Sequence, residues 1–345
     1  MKHDEPLVSI IITFYNEEKL LARCLESVKN QIYKNLEVVL INDGSTDNSL
    51  QIAENFESYF ENIKIFTIKN SGLSEARNHG LSAIKGEYVT FLDADDELEK
   101  EMISICIDKI IKEKSDLVLC RFSVINKNGD VEFVSGWKDN LKDIKRTSEL
   151  IPQMFSYGIS ETVWGKIYKS DIAKRIKFVK GIWFEDTPYL LEYLFLASNA
   201  YLIKESLLKI HKRDTSITRR VLEEKRILDY QRVFELELST LKKYQGESKL
   251  KNKIAKYYLD MIVGNYLFQV IDKDYIINLT HVRKIFHDTL MTFKKVLKDE
   301  NISLSIKDKL QLQLLEIHRF LGWDLSNQIF KFLKQKRIQA INKLR

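Results

Sequence analysis

Two carboxylate groups, one arginine and one aromatic residue carry the chemical possibilities of this sequence. Asp93-Ala94-Asp95-Asp96 places three carboxylates within four residues, a set of hard oxygen donors suited to a divalent cation such as Mg²⁺ or Mn²⁺. Glu185-Asp186 is a second carboxylate pair, between Trp183-Phe184 and Thr187-Pro188, and a positioned carboxylate can take a proton from a weak nucleophile. Arg77 is a permanent cation able to hold an anionic group, and Tyr15 offers a flat face for stacking. Each has a plain structural alternative. An Asp-x-Asp run also stops a strand in a polar turn, and acidic residues also stabilise the first turn of a helix. Position in the fold decides between these readings.

The positioning elements follow from hydrophobic pattern. Val8 to Phe14, Leu36 to Ile41, Ile63 to Ile68 and Tyr88 to Leu92 are short, β-branched and nearly all apolar, as expected of central strands covered on both faces. Segments of helical period separate them: Glu17 to Gln31, Asn48 to Phe60 and Leu73 to Ile84. Asp47 is placed to cap the second. Alternation of this kind predicts a parallel sheet with right-handed crossovers. Asp116 to Ile125 reads as a further strand, followed by a turn and Val131 to Val134, within a mixed, aromatic-rich region reaching about Lys212. From Arg219 onward glycine and proline nearly vanish, and amphipathic patterns run at about 219–244, 247–272, 279–298, 303–321 and 323–344.

In a doubly wound sheet, ligands bind beyond the carboxyl ends of the strands. Polar residues stand at all four ends here: Thr13-Phe14-Tyr15-Asn16-Glu17, Asn42-Asp43-Gly44-Ser45-Thr46-Asp47, Asn70-Ser71-Gly72-Leu73-Ser74-Glu75-Ala76-Arg77-Asn78, and Asp93-Ala94-Asp95-Asp96. In that order they resemble the family 2 glycosyltransferases of GT-A fold, over about the first 215 residues. Thr13 departs from the pattern, since many relatives have proline there.

The resemblance implies an α/β GT-A domain over 1–215, with a Rossmann-like, mostly parallel sheet, and an all-helical region over 216–345. It also implies an inverting, non-processive bacterial enzyme that moves a hexose or N-acetylhexosamine from a UDP-sugar to a hydroxyl of a glycan, lipid-linked or glycoprotein acceptor in surface-glycan synthesis. The donor site it implies comprises Phe14, Tyr15, Asn16, Glu17, Asp43, Ser45, Asn70, Gly72, Ser74, Arg77, Asn78, Asp93, Ala94 and Asp96, joined downstream by His211 and Arg213. Within it Tyr15 stacks on the base, Asp43 accepts the uracil imide hydrogen, Asn16 and Glu17 contact the ribose or fix their loop, and Arg77 grips the diphosphate from the mouth of the cleft beside Asn78. Asp95 is the expected direct ligand of Mn²⁺ or Mg²⁺; Asp93 lies nearer the ribose or a metal-bound water, Asp96 contacts the sugar or supports the loop, and His211 completes metal or phosphate binding. Asp186 is the expected base and Glu185 an acceptor or sugar contact. Trp164-Gly165-Lys166 falls near the acceptor side, or else Trp164 simply packs.

Composition narrows the alternatives. The chain has 44% apolar and 30% charged residues, no run of about 18 uncharged apolar residues, and an N-terminus without an apolar signal core, so a cytoplasmic protein is expected. Cys24, Cys106 and Cys120 lack the spacing of a zinc site or disulfide framework. His79, His281, His287 and His318 show no ligand spacing. A nucleotidyltransferase would show a glycine-rich, basic loop after the first strand, which Thr13 to Glu18 lacks; a non-catalytic sugar- or partner-binding module is the other alternative, with the carboxylates weighing against it. Nothing points to nucleic acid. Seven basic residues against one aspartate between Arg319 and Arg345 equal the whole-chain balance of +6. The last amphipathic segment is therefore basic, and three occupants stay open for its apolar face: an anionic membrane surface, the preceding helices, or a second subunit.

Overall fold

The computed structural model describes residues 5–141, 145–212, 224–270 and 279–317. Two compact units divide at Asp214 and Thr215. In the first, β1 (Val8–Phe14), α1 (Leu21–Lys29), β2 (Leu36–Asn42), α2 (Ser49–Asn55), β3 (Ile63–Thr67), α3 (Leu73–Ala83) and β4 (Tyr88–Asp93) alternate as the apolar pattern requires. β1 is buried along its whole length, which explains why it lacks the in-out alternation of a half-exposed strand. β3, β2, β1 and β4 lie side by side and parallel, with Thr13 opposite both Ile41 and Asp93. That register brings the polar ends of β1, β2 and β4 to one edge.

The second half of the sheet is mixed. β5 (Glu97–Leu98), α4 (Met102–Glu113), β6 (Leu117–Ile125), β7 (Val131–Ser135), α5 (Thr147–Met154), β8 (Lys166–Lys169), α6 (Ser170–Ala173), α7 (Asp186–Leu196) and β9 (Ala200–His211) follow. β8 inserts antiparallel between β4 and β6, while β9 runs parallel to β6 and antiparallel to β5. The aspartate run thus leads first into β5 and only then into α4. Pairing of Glu97 with Lys209 anchors the exit of that run to the end of β9.

Sealing the far end of the sheet is a buried charge. Glu37 is fully buried and takes hydrogen bonds from Ser9 Oγ (2.5 Å), Lys64 Nζ (2.6 Å) and the Lys85 N–H (2.6 Å). Burial alone would raise its pKa, but these donors win and hold it below the usual carboxylate range. Cys24, Cys106 and Cys120 are free and buried.

The second unit contains α8 (Glu224–Lys243), α9 (Ser248–Val270), α10 (Leu279–Asp299) and α11 (Ile306–Ile317), at the places the amphipathic pattern predicts. Phe234 packs against Tyr258 and Phe293 in its interior. Among the described residues no helix is long and apolar enough to cross a membrane. The segment expected at 323–344, its membrane or subunit role, and Arg213 lie outside the described residues.

Candidate active site

The loops after β1 and β2 hold each other. Asn16 takes a left-handed conformation (φ +54°), which asparagine tolerates better than most residues. Its N–H donates to Ser45 Oγ (3.0 Å) and its Oδ1 accepts the Thr46 N–H (2.8 Å). The Glu17 N–H donates to Ser49 Oγ, and Asp47 accepts both the Glu18 N–H and the Ser49 N–H at the start of α2. Asn16 and the Glu17 backbone therefore fix the loop, one of the two alternatives open from sequence.

Asp43 builds the next loop. Its two oxygens accept the N–H groups of Ser71 (2.8 Å) and Gly72 (2.9 Å), tying the end of β2 to the start of α3. Gly72 adopts φ +88° there, and Gly44, at φ +76°, comes so close to Asn70 that an added Cβ would lie 2.9 Å from its backbone nitrogen. Both glycines are needed where they stand. Asn70 is exposed beside them, and Tyr15 is 45% exposed at the end of β1, so each is available to a ligand. Ser74 is buried in α3.

Asp93, Asp95 and Asp96 form the one described cluster suited to a metal ion, their ligand oxygens lying within 4.8 Å of one another. An all-carboxylate set fits Mg²⁺ or Mn²⁺. The turn carrying them is braced: the Asp96 N–H donates to Asp93 O (3.0 Å), Arg23 Nη2 on α1 donates to Asp95 O (2.6 Å), and the His211 N–H donates to Asp96 Oδ1 (3.1 Å). Sequence reasoning missed Arg23, because one arginine on an amphipathic helix carries no distinguishing signal. The His211 ring nitrogen Nε2 sits 2.5 Å from Glu97 Oε1. Burial and then the Arg23 cation pull the imidazole below its ordinary pKa, with Glu97 opposing.

Arg77 joins this cluster to the second carboxylate pair. It is only 3% exposed, and its guanidinium reaches Asp186 Oδ1 (2.5 Å), Glu185 Oε1 (2.8 Å) and Asp93 Oδ1 (3.1 Å). The expectation of a cation at the mouth of the cleft is corrected: α3 buries Arg77 with three carboxylates around it. One cation cannot neutralise three anions. Burial first, and then Asp186, push Glu185 up to about 7 against the pull of Arg77. Asp186 is likewise raised, by burial and by Asp93, with Arg77 opposing.

The pair is delivered by a strained entry to α7. Phe184 adopts φ +65°, a conformation costly for a bulky residue, and the chain then starts α7 at Asp186. Aromatic packing holds α7 in place: Phe178 stacks on Tyr189 at 4.0 Å, Phe91 meets Tyr168, Phe178 and Tyr189 edge-on, and Phe178 also lies beneath Arg77. Asn78 exchanges both amide hydrogen bonds with the Phe178 backbone, each 2.9 Å. These bonds fix the loop ahead of Glu185. Phe14 and Ala94 are buried in the core, so their side chains pack, and Phe14 serves the site by accepting the Asp43 N–H on its carbonyl.

Comparison with known proteins agrees with this geometry. Residues 9–160 match the family model for Glycosyl transferase family 2. The chain is 29% identical over 266 residues to the uncharacterized glycosyltransferase YibD of Escherichia coli K12, covering 74% of this chain and 73% of YibD. It is 31% identical over 214 residues to glycosyltransferase GlyA of Streptococcus pneumoniae, covering 59% of this chain but 29% of GlyA. Among solved structures, residues 1–349 of S. aureus TarS in complex with UDP-GlcNAc superpose with a TM-score of 0.68 at 19% identity, over 96% of this chain and 92% of that one. The motif order, the sheet and these matches agree on a family 2 glycosyltransferase domain matched over residues 9–160 and on the GT-A fold.

Proposed function

We propose that this glycosyltransferase moves a hexose or N-acetylhexosamine from a UDP-sugar to an acceptor hydroxyl on a bacterial surface glycan or its lipid- or protein-linked precursor, on the cytoplasmic side of the membrane. The observation that carries the reading is the link through Arg77 between the aspartate cluster and the Glu185-Asp186 pair, which brings a donor-side and an acceptor-side carboxylate group into one site. A UDP donor is supported by the ligand named for the TarS structure and by Asp43, whose carboxylate keeps lone pairs beyond the two it uses on Ser71 and Gly72. Tyr15 stacks on the base. Asp95, Asp93 and Asp96 hold Mg²⁺ or Mn²⁺; when bound, the cation supplies Lewis acidity to the leaving diphosphate.

Asp186 takes the proton of the acceptor hydroxyl as the acceptor oxygen bonds to the anomeric carbon. The carbon–phosphate oxygen bond breaks on the opposite face, and UDP leaves with the electron pair. A single displacement of this kind inverts an α-linked donor to a β-glycoside. The raised pKa of Asp186, caused by burial and by Asp93, makes it a stronger base than an ordinary carboxylate. Residues 216–345 serve acceptor binding, subunit contact or the membrane surface.

Mass spectrometry of products from a panel of UDP-sugars, with and without Mn²⁺, tests the reading. Transfer or hydrolysis of at least one donor that chelation abolishes is expected, as is a loss of about 10²–10⁴ in kcat for Asp186→Asn with UDP affinity retained. No turnover of any donor would leave a binding module instead, and full activity in Asp186→Asn would remove the assigned base.

A further inference from the structure

The base has a second set of supports that the reaction as described does not use. Asp186 Oδ2 accepts the Val163 N–H at 3.1 Å, while Oδ1 faces Arg77. The carbonyl of that same peptide unit, Thr162 O, accepts Lys166 Nζ at 2.6 Å. The next carbonyl, Val163 O, accepts the Tyr168 hydroxyl at 2.9 Å. Lys166 and Tyr168 stand two apart on β8, so they share one face of the strand.

We propose that Lys166 and Tyr168 are positioning residues for Asp186, clamping the carbonyls on either side of Val163 so that one peptide unit is held between the Lys166 ammonium and the Asp186 carboxylate. This rests on the assignment of Asp186 as the base. A peptide carries a dipole of about 3.5 D. Here its oxygen faces a cation and its N–H faces an anion, so each hydrogen bond polarises and strengthens the other. The carboxylate is thereby fixed in rotation, with Arg77 on one oxygen and Val163 on the other.

The burial of Lys166 has no other evident return. It is 3% exposed, and the only hydrogen bond its ammonium makes among the described residues is to Thr162 O. Burial lowers its pKa to about 8, with Cys120, Asp186 and Glu161 opposing. A lysine buried at that cost beside Asp186 and Glu161 marks a local need for a cation. Tyr168 is fully buried as well, and its ring packs edge-on against Phe91 and Tyr193. Tyr168→Phe keeps that packing and removes only the hydroxyl.

The test uses steady-state UDP release with Mn²⁺, UDP-N-acetylglucosamine as first probe, and UDP affinity by calorimetry to establish that each variant is folded. Tyr168→Phe should lower kcat about 5-fold and Lys166→Met about 10- to 100-fold, the sizes expected for losing a neutral and a charged hydrogen bond. Donor KM and UDP affinity should stay within about twofold, because the donor side is untouched. Placed in an Asp186→Asn background, both substitutions should be silent to within about twofold, since their effect passes through the carboxylate. Losses that multiply with that of Asp186→Asn, or a raised KM with kcat unchanged, would overturn the proposal while leaving the base assignment intact. Full activity in Asp186→Asn alone would instead remove the base, and this proposal with it. Should Lys166→Met fail to bind UDP, Tyr168→Phe carries the test alone.

Discussion

Replacing Arg77 by methionine separates two roles that an arginine at this place in the sequence could have. A diphosphate ligand would stand at the surface, and its loss would weaken UDP binding with little effect on folding. The structure puts Arg77 instead among Asp93, Glu185 and Asp186, whose side chains are 30%, 11% and 16% exposed. Removing the cation leaves three carboxylates together without the ion-pair partner they share. Breaking a buried ion pair costs about 3–5 kcal/mol, and for a unit of some 200 residues each kcal/mol moves the melting temperature by about 2–4 °C. A drop of about 6–20 °C at pH 8 is therefore expected. It should shrink toward pH 5. Glu185 and Asp186 already titrate above the usual carboxylate range and rise further without Arg77, and carboxyls raised by folding contribute stability that is present at low pH and lost as pH climbs through their folded values. Thermal unfolding of the full chain in metal-free buffer at pH 5, 6.5 and 8 is the assay. A variant that melts with the parent at pH 8 yet binds UDP at least tenfold more weakly would refute the buried role and restore the surface one.

Three further outcomes are expected. Because Asp186 acts ionised and burial and Asp93 raise its pKa, kcat/KM should begin to decline, as pH falls, above the range of an ordinary carboxylate; a profile level down to about pH 4 would contradict the burial argument. Lys64→Met leaves the fully buried Glu37 without its cation and should cost about 3–5 kcal/mol in a urea titration. Since Glu37 titrates low in the folded protein, its contribution holds above the ordinary carboxylate range and fades below it, so parent and variant should converge in acid; equal stability at pH 7 would count against the pairing. Gly44→Ala forces a side chain into φ +76° and against Asn70, with an expected loss of about 1–3 kcal/mol and weaker UDP binding; an unchanged melting temperature would mean the turn relaxes freely.

Much of the fold was legible because buried parallel strands need uninterrupted apolar runs. Val8 to Phe14 and Leu36 to Ile41 could hardly be anything else, and four strands alternating with helices left one economical topology. The mixed half was less readable. β5 is two residues long and is created by its pairing with β9 rather than by any local preference, and β8 is four residues inserted from far along the chain.

The site shows the same division. Local sequence determined which side chains are present at the strand ends, because a strand leaving a buried sheet must turn polar, and it determined the glycine-dependent turns, because φ of +76° at Gly44 and +88° at Gly72 favours a residue without Cβ. Tertiary structure decided what each side chain does. Arg77 and Asp186 are 109 residues apart and meet at 2.5 Å, Asn78 turns to Phe178, 100 residues on, and Val163 and Lys166 are joined to Asp186 through one peptide unit. A charged side chain has the same preference wherever it sits, for a partner of opposite sign when water is excluded. Which partner it finds depends on what the long crossovers carry into contact.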